Sequence, residues 1–134
     1  MRASAGSQPA IPSFDLVVRF ALELLLLGAY AYWGWNIGGG GLAGVALGIV
    51  LPVVCAAVWG IFGAEGDATR GQPVIAVPGW LRLWLEAVLI GLAVYGVWTS
   101  WSRAAAETLL TAFALHYAMT WERSWRLLRP ERRL

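Results

Sequence analysis

The sequence predicts an all-α protein, an integral membrane four-helix bundle built from two parallel repeated helical hairpins. Three observations point there. Of the 134 residues, 59% are hydrophobic and 13% charged, with a mean hydropathy of +0.63, too apolar for an ordinary soluble domain. The apolar residues fall into four runs long enough to cross a bilayer. And one stretch occurs twice: Arg19 to Trp35 (RFALELLLLGAYAYWGW) and Arg82 to Trp98 (RLWLEAVLIGLAVYGVW) align without a gap, matching Arg19 with Arg82, Glu23 with Glu86, Gly28 with Gly91, Tyr32 with Tyr95 and Trp35 with Trp98.

Residues 1–13 are small, polar and proline-bearing, the composition of a frayed tail. A first helix is expected over 14–35. It is not a secretory signal: Glu23 sits mid-run, the run spans a bilayer, and the second copy lies far from the amino terminus. Asn36 and the glycines 38–41 end it. A second helix follows over 42–62, with Gly44, Gly48, Ala56, Ala57 and Gly60 allowing close helix contact and Pro52 kinking it. Residues 63–78 read as a loop between the hairpins. The third helix begins near Pro78, where proline suits a first turn, and runs over 78–101. The fourth covers 103–125 and merges into a basic tail, 126–134.

Arginine placement gives the orientation. Arg2, Arg70, Arg123, Arg126, Arg129, Arg132 and Arg133 fall on one side and Arg103 on the other, which puts both termini in the cytoplasm by the positive-inside rule. Beside a membrane end, the basic tail suits anionic lipid better than nucleic acid. Of the nine tryptophans, Trp35, Trp80, Trp98, Trp101 and Trp125 read as interface anchors.

A polar layer emerges when residues are counted inward at about 1.5 Å each. Arg19 and Arg82 lie one turn from Glu23 and Glu86, so each cation shares a helix face with its carboxylate. Counting back along the returning helices brings Cys55, His116 and Tyr117 to the glutamate level, and Trp59, Trp121 and Glu122 to the arginine level. Arg19, Arg82, Glu23, Glu86 and Glu122 amount to two cations and three carboxylates. A dry site holds such a surplus with an added proton, which is what acid/base chemistry needs. Charges inside an apolar run are functional candidates by default. Against that stands the plain alternative of structural ion pairs, with His116 as a hydrogen-bonded core residue. No cofactor or metal is expected: a lone histidine and one distant cysteine lack ligand spacing, and Gly38 to Gly41 have no following lysine to make a phosphate loop. Cys55 reads as a small core residue.

The runs FALELLLLGAYAYWGW, GIVLPVVCAAVWGIFGA and LEAVLIGLAVYGVW resemble the YrdB-like family of small bacterial four-helix membrane proteins. The likeness covers most of residues 14–101. It implies four spans in the bacterial inner membrane and adds weight to Glu23 and Glu86, but it names no substrate; the fourth helix, with His116 and Glu122, lies beyond the matched runs.

Three functions stay open. In the first, a membrane enzyme acts on a lipid-like substrate, in its most concrete form an isoprenoid or its epoxide. Glu23 or Glu86 is then the general acid, Arg19 and Arg82 orient the carboxyl groups, and His116 or Tyr117 assists or removes the final proton. Trp33, Trp59, Tyr95 and Trp121 stabilise a developing carbocation, as in membrane terpene cyclases, and Glu122 completes the substrate site. The second is a proton-coupled exporter or lipid-binding transport subunit, a homo-oligomer sharing its glutamates; the third is an assembly factor needing only the ion pairs and glycine contacts. Glu23→Gln and Glu86→Gln are expected to leave a folded protein, with at least one inactive. Direct packing of the arginines on the carboxylates favours the structural reading, and a cavity reaching both favours the enzyme.

Overall fold

A computed structural model describes residues 13–64 and 73–129; Arg2, Arg70, Arg132, Arg133 and most of the expected amino-terminal tail lie outside them. The described chain is helical apart from two short strands: α1 (Ser13–Ile37), α2 (Gly41–Ile61), β1 (Phe62–Ala64), β2 (Ile75–Val77), α3 (Gly79–Ser100), α4 (Arg103–Met119) and α5 (Trp121–Leu128). Three stretches, Leu16–Ile37, Gly41–Ile61 and Gly79–Ser100, are long and apolar enough to cross a membrane. At about 1.5 Å per residue they match a hydrocarbon core about 30 Å thick. α4, with 17 residues, is shorter than these three and less apolar.

Two expectations are corrected. The fourth helix does not run unbroken over 103–125. It stops at Thr120, whose amide and hydroxyl both donate to the carbonyl of His116, at 3.0 and 2.9 Å. The chain restarts as α5, because WERSWRLL carries its apolar residues on one side only. The 63–78 loop is not wholly irregular either: β1 and β2 pair in parallel, with Phe62 opposite Ile75, Gly63 opposite Ala76 and Ala64 opposite Val77. The β-branched Ile75 and Val77 favour that extended backbone.

α1 and α3 lie side by side at the centre and run the same way. The Tyr30 hydroxyl donates to the carbonyl of Leu89 at 2.6 Å, and a Cβ at Gly96 would fall 2.6 Å from the Trp33 indole, so only glycine lets that ring in. The core joins Leu22, Leu26 and Tyr30 of α1 with Cys55, Ile90, Ala93 and Phe113 of the other helices. α2 packs tightly on α1: a Cβ at Gly34 would lie 2.3 Å from the carbonyl oxygen of Leu47, and one at Gly48 3.2 Å from that of Ala31. The turn between them holds Gly39, Gly40 and Gly41 at φ of 71°, 74° and 62°, a left-handed backbone that glycine adopts without penalty. Of the small residues expected at helix contacts, Gly44 and Gly48 make them; Ala56, Ala57 and Gly60 face outward. α2 remains a single helix through Pro52.

Candidate functional site

The second copy of the repeated pair is buried. Arg82 and Glu86 are each 1% exposed, and Arg82 Nε donates to Glu86 Oε1 at 2.9 Å. The same guanidinium closes the end of α2: Arg82 Nη1 donates to the carbonyls of Trp59, at 2.8 Å, and Phe62. Those carbonyls are on offer because the last turn of a helix leaves its acceptors without helical partners. The guanidinium also lies 4.9 Å from the centroid of the Trp59 ring. Its remaining nitrogen, Nη2, is buried without a hydrogen-bond partner among the described residues.

Glu86 gathers three donors from three helices. Besides Arg82 on its own helix, Tyr117 of α4 donates its hydroxyl to Oε2. Arg123 of α5 reaches both oxygens, with Nη2 3.0 Å from Oε1 and Nη1 3.4 Å from Oε2. A carboxylate held in this way is an anchor: its charge is compensated and its lone pairs are engaged.

The first copy is more open. Arg19 Nε stands 3.7 Å from Glu23 Oε1, with the side chains 17% and 33% exposed. The Trp59 indole donates to the same Glu23 oxygen at 3.1 Å. Trp59 therefore stands between the copies, giving its ring N–H to Glu23 while its backbone carbonyl and ring face meet Arg82.

The residues singled out from the sequence separate into three places. Arg19, Glu23, Trp59, Arg82, Glu86 and Tyr117 form one polar cluster through the bonds above. Half-buried His116 stands beside it, its ring edge-on to that of Tyr117 at 5.9 Å. Trp33 and Tyr95 belong elsewhere: they pack on each other at 6.0 Å, with Tyr30 6.2 Å from Trp33. Trp33 is ten residues beyond Glu23 on α1, about 15 Å along the helix. Trp121 and Glu122 are exposed on α5.

The expected charge balance is corrected accordingly. Glu122 points away from the cluster, because the break at Thr120 turns α5 so that Arg123 faces Glu86. Among the described residues the cluster gathers three guanidinium groups, of Arg19, Arg82 and Arg123, and two carboxylates, in place of two cations and three carboxylates. Arg123 reads in sequence as one more flanking arginine. The signal that could have found it is the one-sided pattern of Trp121, Trp125 and Leu128, which marks a separate surface helix with Arg123 on its inner side. Among the described residues no three His, Cys, Asp or Glu side chains gather as a metal-ligating group.

Residues 17–115 match the family of proteins of unknown function DUF2568. Over 113 residues the chain is 36% identical to the uncharacterized protein YrdB of Bacillus subtilis (strain 168), covering 81% of this chain and 89% of that one. No solved structure matches the chain. With three membrane-length helices, a full-length relative and a family match that takes in the buried Arg82–Glu86 pair, the chain belongs to the YrdB-like DUF2568 family of membrane proteins.

Proposed function

We propose that the protein is a membrane-embedded enzyme for a lipid-like molecule, in which Glu23 gives and takes the proton while Glu86 serves as a fixed electrostatic anchor. The observation that carries this reading is the unequal treatment of the repeated pair: the Glu23 side chain is 33% exposed and the Glu86 side chain 1%. A group that exchanges protons with a substrate must be reachable. Arg19 and the Trp59 indole orient the Glu23 carboxyl group; Tyr117 holds Glu86 and is a positioning residue.

Within the lipid-like class an isoprenoid epoxide suits a single acid/base group: the ring oxygen takes the proton from Glu23 as its C–O bond breaks with the electron pair staying on oxygen, and the carbon left electron-deficient is neutralised when the Glu23 carboxylate takes a proton from the adjacent carbon, whose C–H electron pair becomes the new double bond of an allylic alcohol. A terpene-cyclase type of reaction has less support. The face of Trp59 is shared with the Arg82 guanidinium, and Trp33 and Tyr95 lie too far along α1 and α3 to line the same site. In this reading α4 crosses the membrane as a fourth, shorter span, and both termini and the polar cluster lie towards the cytoplasm.

A second reading, the assembly factor, is favoured by the packing expected of structural ion pairs: Arg82 and Arg123 sit directly on Glu86 and, with Tyr117, tie α3 to α4 and α5, and among the described residues three guanidinium groups against two carboxylates leave no surplus carboxylate that calls for a bound proton. One experiment separates the two. Membranes from cells with and without the chain are compared by untargeted lipid profiling and by native gel electrophoresis. The enzyme reading expects a lipid-like species to change, wild type to restore it and Glu23→Gln to fail while still accumulating in the membrane. An unchanged lipid profile together with a lost or shifted complex would replace it by the assembly reading.

A further inference from the structure

The last described helix carries a surface that neither reading uses. α5 spans eight residues, Trp121–Leu128. Its inner side is tied down: Arg123 reaches Glu86, and the Leu127 backbone lies so close to the start of α3 that a Cβ on Gly79 would fall 2.0 Å from its carbonyl oxygen. Its outer side is apolar, with Trp121, Trp125 and Leu128 59%, 48% and 53% exposed at spacings of four and three residues, one face of a helix. Arg126 and Arg129 flank that face and are exposed, and the Arg129 guanidinium covers the Trp125 ring at 4.3 Å from its centroid.

The position of α5 indicates what would cover this face. It sits at the end of the molecule where α2 finishes and α3 begins, beside Trp59, Phe62 and Arg82, and so at the boundary of the membrane-length helices. A helix with tryptophans on one side and arginines beside them lies in the headgroup plane, its rings at the hydrocarbon edge and its cations among phosphates. No acidic side chain flanks Arg126 and Arg129 on α5 except Glu122, one turn before Arg126, and the following residues add Glu131, Arg132 and Arg133, a net positive contribution.

We propose that α5 is a docking helix for the phosphate-bearing headgroups of anionic lipids, recognised by Arg126 and Arg129, with Trp121, Trp125 and Leu128 seated at the hydrocarbon boundary. This inference does not depend on the role of Glu23, and an inactive Glu23→Gln variant leaves it intact.

Hydrogen–deuterium exchange of the full-length chain in nanodiscs tests it, comparing pure phosphatidylcholine with a mixture containing phosphatidylglycerol. Residues 121–129 should exchange about thirtyfold more slowly in the anionic discs, as two basic residues at an anionic surface imply. The double variant Arg126→Gln, Arg129→Gln should lose most of that difference while residues 79–100 keep their protection. Equal exchange in the two lipids would overturn the proposal and leave α5 as an apolar anchor. Full retention of the difference by the double variant would overturn the role of the two arginines.

Discussion

The two copies of the repeated stretch begin alike and end differently. Each places an arginine one turn before a glutamate on a long apolar helix, yet Arg19 and Glu23 stay partly open while Arg82 and Glu86 are 1% exposed. Their neighbours make the difference. α3 is preceded by β2 and meets the end of α2, α4 and α5, so its first turns are surrounded by carbonyls, a phenol and a second guanidinium. α1 meets the Trp59 indole at the same level. An identical local motif therefore becomes a buried ion pair in one place and a partly exposed one in the other, and the pair alone does not reveal which.

The largest effect expected from breaking this contrast comes at Glu86. Glu86→Ala leaves Arg82 and Arg123 facing each other without their shared counter-charge, and should lower stability by about 3–5 kcal/mol, measured by reversible unfolding in mixed micelles. Next comes the close approach of α5 to α3. Gly79→Leu drives a side chain into the Leu127 backbone and should cost about 1–3 kcal/mol, with faster amide exchange over 121–129. Gly34→Leu, which collides with Leu47 at the other end of the bundle, should cost a similar amount but leave α5 protected. A third change acts on the open copy: Glu23→Gln should alter stability by less than about 1 kcal/mol, as for a partly exposed pair, while abolishing turnover of the lipid-like substrate. A large stability loss there would erase the contrast between the copies. The smallest effect is at the matched glycines. Nothing lies within 4 Å of a Cβ at Gly28 or Gly91, so Gly28→Ala and Gly91→Ala should each be neutral or stabilising by up to about 1 kcal/mol, from helix propensity.

Much of this fold is legible in the sequence because hydrophobic run length and glycine breaks are one-dimensional signals. The limits of α1, α2 and α3 fall within two residues of those expected, and counting along antiparallel helices brings Tyr117 to the level of Glu86. What stays hidden depends on backbone groups and on direction. The carbonyls of Trp59 and Phe62 that receive Arg82 have no side-chain signature. The stop at Thr120 depends on a threonine turned back on His116. Arg123 sits among arginines that orient the chain and differs from them only in the direction α5 takes after that stop. The short strand pair was hidden for a similar reason: three residues are too few to show alternation.

Trp59 has a consequence for how the two halves can change over time. One indole serves Glu23 through its ring nitrogen, while the same residue's carbonyl and π face receive Arg82. A duplicated element would ordinarily be free to diverge in either half; here a substitution that removes the aromatic ring disturbs both at once. Trp59→Phe separates the two roles, since it keeps a ring over the guanidinium and the backbone acceptor but removes the donor to Glu23. It gives genetics a handle on one half of the molecule without touching the other.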